Sequence, residues 1–111
     1  MPNTYKVLGQ SVPANTNATD VYTVPSATST VVSSIVVANI TATNYTYRIA
    51  VRPAGATLAN QHYLAYDVTC AANDSVTLTL GITLAATDVI TIRSSNATSL
   101  VFNVFGCEIT A

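Results

Sequence analysis

The sequence has 111 residues, of which 50% are hydrophobic and only 8% are charged. Its formal net charge of −1, with four basic residues, provides no basic surface for nucleic acid or anionic lipid. The abundance of Thr and Val and the scarcity of charge disfavour a disordered chain, because disordered chains are poor in β-branched residues and rich in charge. The longest apolar run, residues 35–38, is too short to span a bilayer. We expect one soluble domain, residues 1–111, with no nucleic-acid and no membrane partner.

The N-terminal residues and the cysteines bear on where the chain folds. Residues 1–6 lack the basic stretch and hydrophobic core of a secretion signal, which predicts folding in a cytoplasm. Disulfides are rare in reducing compartments, so free thiols are favoured for Cys70 and Cys107, although one bridge between them stays open.

Apolar and polar residues alternate with a period of two through most of the chain, which predicts strands. In the segment 45–52, Tyr45, Tyr47, Ile49 and Val51 form the apolar face. Residues 35–38 are apolar on both faces, which is typical of a central strand or of one covered by a neighbouring subunit. The predicted strands, in chain order, are 6–11, 21–24, 31–39, 45–52, 62–68, 75–80, 90–93 and 100–109.

Turn-forming segments separate these strands at a spacing typical of β-sandwiches. No segment shows a sustained period of 3.6 residues, and a single short helical turn is expected at 57–61. The fold predicted is all-β: a single-domain antiparallel two-sheet sandwich of about eight strands, with jelly-roll or Greek-key connections.

Few residues are suited to catalysis or metal binding. His62, predicted in a strand, has no carboxylate or Cys at a metal-ligand spacing, which favours a structural or interfacial role. Asp20, Asp74 and Asp88 each precede or begin a strand, where a short carboxylate accepts from turn amides. We therefore expect no catalytic residues, no metal, no cofactor and no enzymatic activity.

Three arginines are candidates for an interface. Arg48 and Arg52 lie four residues apart on one outward strand face, and Arg93 lies on another strand. Arginine binds a carboxylate bidentately, so these side chains are candidate anchors to a partner protein; the alternative is a solvated face. The N-terminal segment with Pro2 and Tyr5 is a candidate docking segment.

The six tyrosines suggest a second kind of site. Tyr45 and Tyr47 share the apolar face of their strand and belong to the expected core. Alternation exposes either Tyr63 or Tyr66 unless an interface covers both, and an exposed aromatic plane is a platform for a sugar ring. The candidate glycan-binding residues are Asn60, His62, Tyr63 and Tyr66.

The scarcity of charge bears on assembly. Natural monomers protect strand edges and apolar patches with Lys and Glu, and this sequence has one of each, Lys6 and Glu108. We therefore expect a homo-oligomer or a part of a larger assembly that covers the apolar and Thr-rich faces.

Several stretches resemble small structural proteins of tailed bacteriophage virions. They are VYTVP at 21–25, TVVSSIVVAN at 30–39, YRIAVRPAGA at 47–56, HYLAYD at 62–67 and the segment 80–90 that begins LGITL. The resemblance covers about four fifths of the chain. It implies a non-enzymatic β-sandwich, often trimeric, assembled into the virion in the host cytoplasm.

Two roles follow from this resemblance. In the first, the protein decorates the capsid as a cement protein, binding itself and the major capsid protein or tail and baseplate proteins. In the alternative, it lies on the tail, baseplate or fibre tip and acts as an adhesin for a host glycan.

Overall fold

Nine β-strands account for most of residues 3–79 and 81–110, the part of the chain that the computed structural model describes. Two 3₁₀ turns, Pro53–Gly55 and Asn60–His62, join the fourth strand to the fifth. The strands are β1 (Asn3–Ser11), β2 (Thr19–Thr23), β3 (Thr28–Asn39), β4 (Tyr45–Arg52), β5 (Tyr63–Cys70), β6 (Ser75–Leu78), β7 (Ile82–Leu84), β8 (Val89–Ser94) and β9 (Leu100–Thr110).

The strands form two antiparallel sheets. Sheet A has the order β1-β9-β3-β6, with β7 also paired to β3, and sheet B has the order β2-β8-β4-β5. β6 pairs with residues 35–38 of β3 and β7 with residues 30–32, so together they act as one interrupted strand. Counted in this way, the sandwich has eight strands, four in each sheet, in the order of a jelly roll. The predicted all-β two-sheet sandwich is confirmed, and the jelly roll is the connection found.

The core lies between the two sheets and contains side chains from both. Tyr47 and Ile49 of β4 are fully buried, as the alternation predicts, and Phe102 of β9 packs in the same cluster. Ile35 and Val37 of β3 also point inward, whereas Val36 and Ala38 are half-buried on the outer side. Since β3 lies between β9 and the β6/β7 pair, the prediction of a central strand at 35–38 is confirmed.

The structure corrects several predicted boundaries. His62 lies in the second 3₁₀ turn rather than in a strand, and β5 starts one residue later. The strand predicted at 75–80 ends at Leu78, and Leu80 lies outside the described residues. β7 was not predicted, because three residues are too few to show an alternation. No helix in the described ranges is long and apolar enough to cross a membrane.

Two of the three aspartates have the predicted role. Asp88 accepts from the backbone N–H of Ala54 and of Ala85, both at 2.9 Å, and Asp74 accepts from the N–H of Ser75 at 2.8 Å. Asp20 was predicted wrongly: it lies within β2, and its Oδ1 atom binds the side chains of Arg52 and Thr91.

Both cysteines are free thiols. Cys70 is buried in the core, where burial raises its pKa, and Cys107 is half-buried on the outer side of β9. The buried position of Cys70 keeps it in the protonated, unreactive form.

Candidate functional site

The two outer faces of the sandwich differ in charge. Sheet B carries the side chains of Asp20, Arg48, Arg52, Asp67 and Arg93. The strands of sheet A contain Lys6 and Glu108, whose side chains bind one another at 3.2 Å, and Glu108 also binds Tyr22 of sheet B. Glu108 therefore lies on the inward side of sheet A at the end of the sandwich, and the Lys6 side chain is 44% exposed. Among the described residues, the strands of sheet A carry no charged residue other than this pair.

We call the part of that outer face formed by Tyr5, Val7, Val31, Phe105 and Cys107 the apolar face. Tyr5 is 80% exposed, Val7 46% and Val31 39%. The register places Tyr5 opposite Cys107, Cys107 opposite Val31, and Val7 opposite Phe105. All of these residues except Val7 line a groove of about 370 Å³, which Lys6, Ser33 and Gly106 also border. Tyr5, a predicted docking residue, thus lies on this face, and Pro2 lies outside the described residues.

On the opposite side of the molecule, Arg48 forms a bidentate pair with Asp67. Its Nε atom lies 2.7 Å from Oδ1 and its Nη2 atom 3.1 Å from Oδ2. Arg93 lies directly opposite Arg48 in the register of β4 and β8, with Nη1 at 3.9 Å from the same carboxylate. Like charges opposite one another repel, and Asp67 neutralises this repulsion. The hydrogen bond from Arg48 holds the pKa of Asp67 below its ordinary value.

Arg52 is bound within its own chain as well. Its Nη2 atom lies 2.8 Å from Asp20 Oδ1, and its Nε donates to Thr91 Oγ1 at 2.9 Å. Its Nη1 donates to the backbone oxygens of Gly55 and Ala56. The three arginines predicted as anchors therefore hold sheet B and its loops together. Their role in binding a carboxylate on a partner protein stays a prediction. In that role, the arginines would have to share or exchange the contacts that they make within the chain.

The predicted glycan residues Asn60, Tyr63 and Tyr66 converge on one recess of about 390 Å³, which we call the aromatic recess. The two tyrosine rings lie 4.9 Å apart between centroids, at an interplanar angle of 84°. Tyr66 is 55% exposed and Tyr63 is half-buried. The rings therefore form two walls of a corner that is open to solvent.

Bulges in β5 bring the two tyrosines together. Val68 pairs with Tyr47 and Ala65 with Ile49, so residues 66 and 67 both stand opposite the single residue Arg48. A second irregularity lies at residue 64, and Asp67 has a left-handed backbone with φ of 53°. Regular alternation would place these residues, three apart, on opposite faces, and the bulges instead let both rings border one recess, with Tyr66 exposed as expected of one of the two and Tyr63 half-buried.

His62 does not line the aromatic recess. It is buried, and its Nδ1 atom accepts a hydrogen bond from the backbone N–H of Ala59 at 3.0 Å. This bond closes the 3₁₀ turn that carries Asn60 and leads directly into Tyr63. His62 therefore supports the recess from behind.

Sequence reasoning did not associate the arginines with the tyrosines. The guanidinium carbon of Arg48 lies 4.0 Å from the centroid of the Tyr66 ring, a cation–π contact. Asp67, which holds Arg48 in place, was not singled out from the sequence. In the sequence, Asp67 directly follows Tyr66, which is the feature that could have indicated it. The bulge in β5 is what turns both residues toward Arg48.

Within residues 3–79 and 81–110, no group of three or more His, Cys, Asp or Glu side chains is arranged to hold a metal ion. Comparison of the chain with protein-family models, with curated proteins and with solved structures gave no match. The apolar face and the aromatic recess are the two candidate functional surfaces of the described residues.

Proposed function

We propose that this protein is a non-enzymatic structural protein of a tailed-bacteriophage virion, a homo-oligomer that decorates the capsid and stabilises the particle as a cement protein. The observation that supports this role is the outer face of sheet A, which exposes Tyr5, Val7 and Val31 in a sheet whose described strands carry no charged residue besides the paired Lys6 and Glu108. The sequence resemblance supplies the assignment to a virion.

The size of this face fits a persistent interface. β3 has 12 residues and β9 has 11. β1 has only 9 residues, and β6 and β7 have 4 and 3, so at about 3.3 Å per residue and about 4.8 Å between strands the whole face offers about 600 Å². A stable interface buries about 800 Å² of each partner. Apolar surface removed from water contributes about 25 cal/mol per Å², which favours coverage of this face.

The partner we propose first is a second copy of the chain. A contact in which both copies use the apolar face gives a twofold dimer, whereas a trimer requires the face to contact another surface of the next subunit. Self-association through either arrangement supports an architectural role, and the resemblance favours the trimer.

The oligomeric state tests this proposal directly. We expect sedimentation-velocity experiments between micromolar and millimolar concentration to give a mass of two or three subunits. The double variant Val7→Lys, Val31→Lys should shift the protein to the monomer, because an interface would have to bury both added charges. Leu64→Lys, on the exposed side of β5 in sheet B, is the matched control and should leave the mass unchanged. A wild-type monomer at millimolar concentration would overturn the proposal.

A particle assay tests the cement role itself. Virions assembled without this protein should rupture at lower temperature, and purified wild-type protein should restore their stability. The double variant Val7→Lys, Val31→Lys should not restore it, whereas Leu64→Lys should. Equal rupture temperatures with and without the protein would contradict a cementing role.

A second candidate function is that of an adhesin on the tail, baseplate or fibre tip. The observation that favours it is the aromatic recess, where Asn60, Tyr63 and Tyr66 meet on the face opposite the apolar face. A subunit held by sheet A would present this recess away from its interface.

A further inference from the structure

We infer that the aromatic recess binds one pyranose ring of an uncharged glycan, with Tyr63 and Tyr66 as stacking walls and Asn60 as the polar contact. Arg48 is a positioning residue that acts through Tyr66. The biological use of this site rests on the second candidate function, adhesion, whereas binding itself is a property of the isolated protein.

The shape of the recess favours a sugar ring. A pyranose presents flat patches of C–H groups on its faces and hydroxyl groups around its edge. Tyrosine rings at 84° to one another provide one wall for a C–H patch and a second wall against the edge of the ring. The volume of about 390 Å³ lies at the small end of ligand pockets, which suits a single ring rather than a long chain.

The polar groups of the aromatic recess are suited to the hydroxyl groups of a sugar. The Asn60 side chain is exposed at the rim and carries both a carbonyl acceptor and an NH₂ donor. The tyrosine hydroxyls each donate and accept one further hydrogen bond. Sugar hydroxyls also donate and accept, so this mixed set is matched better by a sugar than by a purely anionic group.

The charges beside the recess favour a neutral ligand. Arg48 and Asp67 satisfy each other through two hydrogen bonds of 2.7 and 3.1 Å, so neither presents an unpaired charge to a ligand. Arg93 donates through Nε to the backbone oxygen of Thr16 at 2.9 Å, and its Nη1 faces the same Asp67 carboxylate at 3.9 Å. A carboxylate or phosphate on the ligand would have to compete with Asp67 for these cations.

The walls are held in place before a ligand arrives. Arg48 lies 4.0 Å from the Tyr66 ring and is itself fixed by Asp67. Tyr63 follows the turn that His62 closes, which restricts where its backbone lies. Binding therefore orders few side chains, and this preorganisation reduces its entropic cost.

Ligand titrations on the purified protein test the site. Methyl glycosides of glucose, galactose, mannose and N-acetylglucosamine are the neutral probes, and glucuronic acid and N-acetylneuraminic acid the acidic ones. We expect saturation-transfer NMR to detect at least one neutral probe, with strongest transfer to the C–H protons of one sugar face. Tyr66→Ala and Tyr63→Ala should each raise its Kd at least about tenfold, the loss typical of an aromatic anchor.

The control variant is Val68→Ala, which changes an exposed side chain of β5 outside the recess and should leave the Kd unchanged. Circular dichroism and thermal unfolding verify that each variant is folded. Absence of binding to every neutral probe at 50 mM, about the weakest affinity such a titration detects, overturns the site. Binding that survives both tyrosine variants overturns it as well, and preference for the acidic probes overturns the neutral assignment.

The positioning role of Arg48 has its own readout. Arg48→Ala should weaken binding three- to tenfold and shift the ring-proton resonances of Tyr66, whereas Arg48→Lys, which keeps a cation near the ring, should recover part of both effects. Unchanged Tyr66 resonances in Arg48→Ala would exclude the role. Adhesion is measured separately, by retention of the protein on host cells with and without the bound glycoside. Sugar binding without retention leaves the site in place and excludes the adhesin function.

Discussion

At the scale of single residues, the hydroxyl of Tyr22 links the two sheets at one end of the sandwich. It donates to Glu108 Oε2 at 2.6 Å and lies 2.8 Å from Thr30 Oγ1. Tyr22 belongs to β2 in sheet B, whereas Thr30 and Glu108 belong to sheet A. Lys6 donates to the other carboxylate oxygen of Glu108 at 3.2 Å. The charge of Glu108 is therefore stabilised by two donors.

Alkaline pH is expected to weaken this end of the fold. Burial, together with the neighbouring Glu108 carboxylate, raises the pKa of Tyr22 to about 12. The resulting stability is fully present below about pH 10, the usual pKa of tyrosine, and is lost as pH rises through the folded-state pKa. Urea unfolding between pH 8 and 12 should show a loss of about 2 kcal/mol that is absent from Tyr22→Phe.

The same variant has an effect at neutral pH. Removing the hydroxyl takes away the hydrogen-bond partner of Thr30 Oγ1 and leaves Glu108 with Lys6 alone, so Tyr22→Phe should lower the free energy of unfolding by about 1–3 kcal/mol. Tyr5→Phe, which changes an exposed ring, is the matched control and should be neutral. Parallel pH curves for wild type and Tyr22→Phe would show that the Tyr22 hydroxyl has no special role.

Acid pH should also weaken the cluster of Tyr22, Glu108 and Lys6, in this case through protonation of Glu108. The hydrogen bond from Tyr22, followed by the contact with Lys6, lowers the pKa of Glu108. The stability that this carboxylate contributes is present above about pH 4.3, its unfolded pKa, and is lost as pH falls through the lower folded-state pKa. Between pH 2 and 6, the free energy of unfolding should therefore depend less steeply on pH for Glu108→Gln than for wild type. Identical slopes would contradict this account.

At the scale of the strands, one glycine determines how β9 fits between its neighbours. A Cβ atom on Gly106 would overlap the backbone oxygen of Val31 and would lie 2.9 Å from Leu8 Cδ1. The β3–β9 register shifts at this point, between Val32 and Ser34. The crowding therefore involves backbone, which relaxes less readily than a side chain.

Gly106→Ala is expected to be severely destabilising. Relief of the overlap requires β9 to move away from β3, which disturbs the longest pairing in sheet A, so we expect a loss of at least about 2 kcal/mol. Chemical unfolding of Gly106→Ala measures this loss, with Thr77→Ala on the exposed side of β6 as the control. A loss below about 0.5 kcal/mol would mean that the strand accommodates the methyl group.

The strands differ in how well their sequence predicts them. β3 has alternating burial over most of its 12 residues, β4 has its apolar and polar residues in alternation along the sequence, and both were predicted within a few residues of their observed ends. β7 and the bulges of β5 were not predicted, because they depend on which strand lies alongside. The aromatic recess was therefore predicted as a set of residue types near Tyr63, while its geometry follows from the pairing of β5 with β4.

At the scale of the whole molecule, charge is divided between the two sheets. Sheet B carries three arginines and two aspartates, which form two groups of ion pairs, whereas the strands of sheet A carry only the paired Lys6 and Glu108 among the described residues. Both sheets expose apolar side chains, but those on β5 lie beside ion pairs, whereas Tyr5, Val7 and Val31 of sheet A lie on a face with little charge. We therefore expect the proposed self-association through this face to be driven by apolar burial rather than by ion pairs.

The salt dependence of self-association tests whether apolar burial drives it. Raising NaCl from 50 mM to 1 M screens ion pairs but leaves apolar burial intact, so the dissociation constant of the oligomer should stay the same or decrease. Sedimentation equilibrium at the two salt concentrations measures it. Association that weakens tenfold or more in 1 M salt would indicate that Arg48, Arg52 and Arg93 form the interface instead of sheet A.

The sequence by itself determined the class of fold, because the alternation along β4 is a local property that survives whatever lies beside that strand. It also indicated a shortage of charge, since that is a matter of composition. Tertiary structure alone decided where the few charges meet and which face lacks them. Arg48, Asp67 and Tyr66 come together only because β5 bulges against β4, and a strand's partner and register depend on the packing of the complete sandwich.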